Sequence, residues 1–72
     1  MDIRLAVMPA EEFRASLERL GITQRAAAIW MGVDKRSVGR WANGVQPVPP
    51  QIKLLLQLAE SIKQLGRPVE GL

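Results

Sequence analysis

The apolar positions change their rhythm along the chain. From Met1 to Met8, Ile3, Leu5 and Val7 alternate with Asp2, Arg4 and Ala6, the period of a short strand or an extended arm. From Pro9 the period lengthens. Phe13, Leu17 and Leu20 recur at i, i+4 and i+7, which predicts a helix over 9–20 that buries this stripe. Pro9 suits its first position, Glu11 and Glu12 suit the dipole in its first turn, and Gly21 suits a left-handed cap at its end.

Two short segments follow. Thr23 is placed to cap a helix over 24–31, which Gly32 closes after about two turns. Asp34 is placed to cap a third over 35–42, and Gly44 stops it. The run Gln46–Pro50 (QPVPP) cannot be helical throughout and reads as a stiff connector. Pro50 then opens a fourth helix over 50–65, with Gly66 and Pro68 ending it. The expected architecture is all-α: an N-terminal arm over 1–8, a small four-helix domain over 9–66 and a C-terminal tail over 67–72. Any sheet is expected only within the first eight residues.

Helices as short as 24–31 and 35–42 are not stable alone and must lock together. Ala27, Ala28 and Met31 share one face of the first, Val38 and Trp41 share one face of the second, and Val33 lies in the turn between them. Small Ala28 lets the two backbones cross closely, and Gly32 supplies the backbone angle of a tight turn. This is the helix-turn-helix pattern, whose second helix enters a major groove. At this spacing Trp41 belongs to the core and not to a base-stacking surface.

The segment Thr23–Gly44 (TQRAAAIWMGVDKRSVGRWANG) resembles the DNA-binding domains of the lambda-repressor/Cro family, also called the XRE family. The likeness rests on Gln24, Ala28, Gly32, Val38 and Trp41 at their mutual spacing, and on the Arg40–Gly44 ending. The flanking FRASLERLGI and VPPQIKLLLQLA extend it to about residues 10–65. It implies a lambda-repressor-like fold and, on that fold, DNA binding or protein binding. It also implies that Gln24 contacts a phosphate.

The outer face of helix 35–42 bears on that choice. Lys35, Arg36, Gly39 and Arg40 project opposite Val38 and Trp41. Lys35 and Arg36 lie in the first turn, where a cation opposes the helix dipole by roughly 0.3–1 kcal/mol. Folding alone disfavours them there, whereas an anionic ligand explains them. Lys35, Arg36 and Arg40 are therefore the expected base-contacting residues. Gln24, Arg25, Ser37 and Asn43 are the expected phosphate contacts.

Composition sharpens this picture. The chain has 72 residues, 47% of them hydrophobic, with no Cys and no His or Tyr. Disulfides and thiolate zinc sites are excluded, and the commonest metal ligand and general base are missing, so no metal or cofactor is expected. Thr23, Ser16, Ser37 and Ser61 have no histidine to activate them, so an enzyme is the weakest reading. The net charge is +3, and Arg25, Lys35, Arg36 and Arg40 against Asp34 place the excess in residues 22–43. That patch suits a polyanion. No apolar run approaches the roughly 18 residues of a membrane span, and the N-terminus does not read as a signal peptide. The expected location is the cytoplasm.

Some apolar residues exceed what a four-helix core needs. Ile29 and Trp30 fall on the solvent side of helix 24–31, to be covered by the arm or by another chain. In helix 50–65, Ile52, Leu55, Leu56, Ala59 and Ile62 form the expected core face, while Leu54, Leu58 and Leu65 form a second stripe. Either the arm folds onto that stripe or a homodimer buries it at Leu54 and Leu58. The leading expectation is a sequence-specific, double-stranded-DNA-binding homodimer that regulates transcription. The alternative is a protein-interaction module on the same fold.

Overall fold

A computed structural model describes residues 7–64. Four helices follow one another, α1 (Ala10–Leu20), α2 (Gln24–Met31), α3 (Lys35–Ala42) and α4 (Pro50–Gln64), with no strand among the described residues. The protein is therefore a small all-α, four-helix domain. The alternating segment before Val7, Leu65 with the end of the fourth helix, and the tail lie outside the described residues.

Local chemistry accounts for most helix ends. The Thr23 side chain accepts the Ala26 N–H at 3.0 Å and caps α2. Asp34 accepts the Arg36 N–H at 3.1 Å and caps α3. Gly21 and Gly32 end α1 and α2 at φ 73° and 70°, a left-handed conformation that glycine alone adopts freely. One boundary differs from expectation. Pro9 is the N-cap of α1 and not its first residue, with ψ 155°. Its carbonyl still accepts the Phe13 N–H at 2.9 Å, so the ladder starts there while the proline backbone stays extended.

α2 packs on α3, and α1 packs on both α3 and α4. The core joins Phe13 and Leu17 of α1, Ala27 and Ala28 of α2, Val38, Trp41 and Ala42 of α3, and Ile52 and Leu56 of α4. The Phe13 and Trp41 rings meet edge to face with centroids 5.9 Å apart and planes at 86°, a geometry favoured by the ring quadrupoles. Met31 and Val33 are partly buried against this cluster, as are Leu20 and Ile22. Two further core residues come from outside the helices. Met8, read in the sequence as the last residue of the arm, and Val48, inside the proline connector, are both buried. Their side chains pin the chain before α1 and before α4.

The rotation of α4 corrects one expectation. Ile52 and Leu56 are buried and Leu55 and Ala59 half-buried, but Ile62 is 48% exposed. The last turns present Glu60 and Lys63 to α1 instead, where Glu60 binds Ser16 and Arg19 and Lys63 donates to the Arg19 carbonyl. At about 100° per residue, the line Ile52–Leu56–Glu60–Lys63 stays on one side of the helix while Ile62 turns away.

Candidate nucleic-acid interface

The α2–α3 pair is held at its turn by backbone bonds. Gly32 and Val33 donate to the carbonyls of Ile29 and Ala28 at 3.2 and 3.0 Å. Asp34 then restarts the helix, its carbonyl accepting the N–H groups of Ser37 and Val38 at 3.0 and 3.3 Å. Val38, Trp41 and Ala42 turn into the core, which fixes what the other side of α3 presents.

Around that other side, Lys35, Gly39, Arg36 and Arg40 follow one another over about 140° of arc. Lys35, Arg36 and Arg40 are exposed. None of the three makes a side-chain hydrogen bond or ion pair among the described residues. Gly39 lies between them with ordinary helical φ, and beyond its own helix backbone a Cβ built on it meets no atom of the described residues within 4 Å. Packing therefore does not require a glycine there, although it weakens a helix interior by about 1 kcal/mol relative to alanine.

The remaining expected contacts lie in the first turn of α2 and along α3 and its C-cap. Gln24 and Arg25 are exposed in the first turn of α2, where backbone N–H groups have no intrahelical acceptor. The Arg25 side chain, like those of α3, has no partner among the described residues. Ser37 is half-buried at the edge of α3. Asn43 is exposed as its C-cap, its N–H donating to the Gly39 carbonyl at 2.9 Å. Val45 and Gln46 fold back to donate to the Arg40 carbonyl at 2.9 and 3.3 Å, and Gly44 permits the reversal at φ 75°. The Arg14 guanidinium donates to the Ala42 carbonyl, so a cation from α1 stabilises the negative end of the α3 dipole.

A polar seam between α1 and α4 went unseen in the sequence. The fully buried Ser16 hydroxyl donates to Glu60 Oε2 at 2.6 Å. Arg19 donates through Nε to Glu60 Oε1 and through Nη2 to Glu60 Oε2 at 3.3 Å and Glu12 Oε1 at 3.1 Å. Hydrogen bonding from Arg19 holds the Glu60 carboxyl below the usual glutamate range, with a smaller contribution from Ser16. The same bonds, first to Glu60 and then to Glu12, raise the Arg19 guanidinium. Glu12 and Arg19, two turns apart, were the only local hint.

Among the described residues no three His, Cys, Asp or Glu side chains gather as a metal site. No helix there is long and apolar enough to cross a membrane. Comparisons with protein-family models, curated proteins and solved structures give no match.

Proposed function

We propose that this protein binds double-stranded DNA sequence-specifically through α3, as a small transcriptional regulator of the lambda-repressor/Cro-like class acting in the cytoplasm. One observation carries the reading. Three exposed cations without a partner among the described residues flank a glycine that no packing contact among those residues requires. A polyanion close to the helix backbone accounts for both, because it neutralises the charges and fits where a side chain would stand off the groove. Lys35, Arg36 and Arg40 reach base edges, while Gln24, Arg25, Ser37 and Asn43 hold phosphates and set the register.

A single helix of this length reads few base pairs, so a homodimer supplies the second half-site. Leu54 and Leu58 are more than half exposed on α4 and are the proposed contact. Replacing both with glutamate places like charges across a two-fold axis and leaves Ile52 and Leu56 buried. The variant keeps its helical signal, sediments as a monomer and loses cooperative binding. A wild type that is monomeric at high concentration and binds DNA one copy at a time removes the dimer from the proposal.

A second reading, a protein-interaction module, is favoured by the exposure of Ile29 and Trp30. Selection of bound sites from random duplex DNA, followed by a salt series, separates the two. DNA binding yields a recurrent, palindromic site and an affinity that falls steeply with salt. An unselective pool sinks the DNA reading.

A further inference from the structure

The outer face of α2 is the least explained surface of the domain. Arg25, Ile29, Ala26 and Trp30 follow one another around about 140° of it. Ile29 is 74% exposed, more than any other large apolar residue described, and Trp30 is half exposed. Small, exposed Ala26 falls between them around the helix. From Ile22 to Val33 the only charge is Arg25.

Phosphate binding explains Arg25 in the first turn but not Ile29 and Trp30 in the second. Those two gain nothing from a polyanion and lie about 6 Å further along the axis. Together they form an aromatic and an aliphatic anchor beside one free cation, the composition of a protein-binding hot spot. A second copy is a poor occupant. The chain carries +3, and pairing through this face sets the Arg25 side chains of two copies in one interface. A carboxylate-bearing partner is attracted by the same charges.

We propose that the α2 face docks an acidic, apolar segment of another protein, which seats large apolar side chains on Ile29 and Trp30 over Ala26 and brings carboxylates to Arg25. Resting on the DNA-binding reading, this docking is antagonistic to duplex binding. The partner takes a cation that DNA uses and sets negative charge beside the phosphates. Partner and duplex then weaken each other by the same factor.

The test uses the full chain and a display library of helical peptides randomised at their apolar and charged positions. Enrichment of acidic, apolar peptides is expected. Ile29→Ala and Trp30→Ala, with helical signal retained, each weaken them at least about tenfold. Arg25→Glu shifts the preference toward basic peptides. The acidic peptides also release a fluorescent duplex from the protein. Enrichment equal on wild type and Trp30→Ala overturns the proposal, as does a preference for neutral or basic sequences. So does a wild-type dimer that Ile29→Glu converts to monomer, which assigns the face to a second copy. Acidic peptides that leave the duplex bound overturn the antagonism and with it the proposal. Failure to bind any duplex at low salt sinks the DNA reading instead, and the peptide selection alone then decides the docking surface.

Discussion

The α1–α4 seam and the outer face of α3 are both rich in charge, yet they treat it in opposite ways. In the seam every cation has work inside the protein. Arg19 bridges Glu12 and Glu60, and Lys63 holds the Arg19 carbonyl at the end of α1. Next to it, Arg14 holds the end of α3. On the outer face of α3, Lys35, Arg36 and Arg40 hold nothing among the described residues. The charges of α1 also follow its dipole, with Glu11 and Glu12 in the first turn and Arg19 in the last, whereas α3 opens on Lys35 and Arg36. Charge that folding uses is paired and correctly placed. Charge that folding tolerates at a cost points to something outside the molecule.

The widest separation between these regions comes from removing their charges in turn. Changing Lys35, Arg36 and Arg40 together to alanine should lower duplex affinity roughly a hundredfold or more, from about 1–3 kcal/mol for each bidentate base contact. Thermal stability should not fall and should rise by up to about 1 kcal/mol, because two cations leave the first turn of α3 and one leaves its last. Duplex affinity unchanged at matched salt ends the DNA reading. Arg36→Ala or Arg40→Ala alone should relax preference at one base position, whereas Gln24→Ala should weaken all sequences about equally.

The reverse experiment acts on the seam. Glu60→Ala leaves the Ser16 hydroxyl buried without its acceptor, a cost of about 1–3 kcal/mol in chemical denaturation. Duplex affinity of the folded protein should not change. A loss of DNA binding there, with folding intact, shows that the two regions are coupled.

Gly39 gives a smaller effect of opposite sign on the two properties. Gly39→Ala should raise stability by about 1 kcal/mol, since helix propensity improves and the new Cβ meets nothing. The same methyl should weaken duplex binding. An alanine variant that is more stable and binds equally well removes the glycine from the argument for close approach.

The smallest effect is the acid dependence of the seam. Glu60 is held below its unfolded value mainly by Arg19, so its contribution is fully present above the ordinary glutamate pKa of about 4.3. It is lost as pH falls from there through the lowered folded value. Stability against pH should therefore be flatter below about pH 4.3 in Glu60→Gln than in wild type. Equal slopes would mean that the Arg19 contact does not hold in solution.

Much of this molecule is written in short stretches of chain. Thr23, Gly32, Asp34 and Gly44 act on backbone groups within a few residues of themselves, so the helix boundaries around the candidate interface are legible without a structure. The periodic placement of Val38 and Trp41 likewise determines that Lys35, Arg36 and Arg40 face outward. Their lack of partners among the described residues is a different kind of fact, because a carboxylate can reach a cation from anywhere in the chain. Only the packed structure decides that. The rotation of α4 was also out of reach. Hydropathy assigned Ile62 to the core and Glu60 to solvent, but Glu60 pairs with Arg19, 41 residues away in sequence. Ser16, Met8 and Val48 belong with it, buried by neighbours from distant segments. Caps and periodicity are short-range, and the sequence determines them. Which face of a helix meets a neighbour depends on the fit of two surfaces and on polar partners far apart in the chain, and that is settled only when the chain packs.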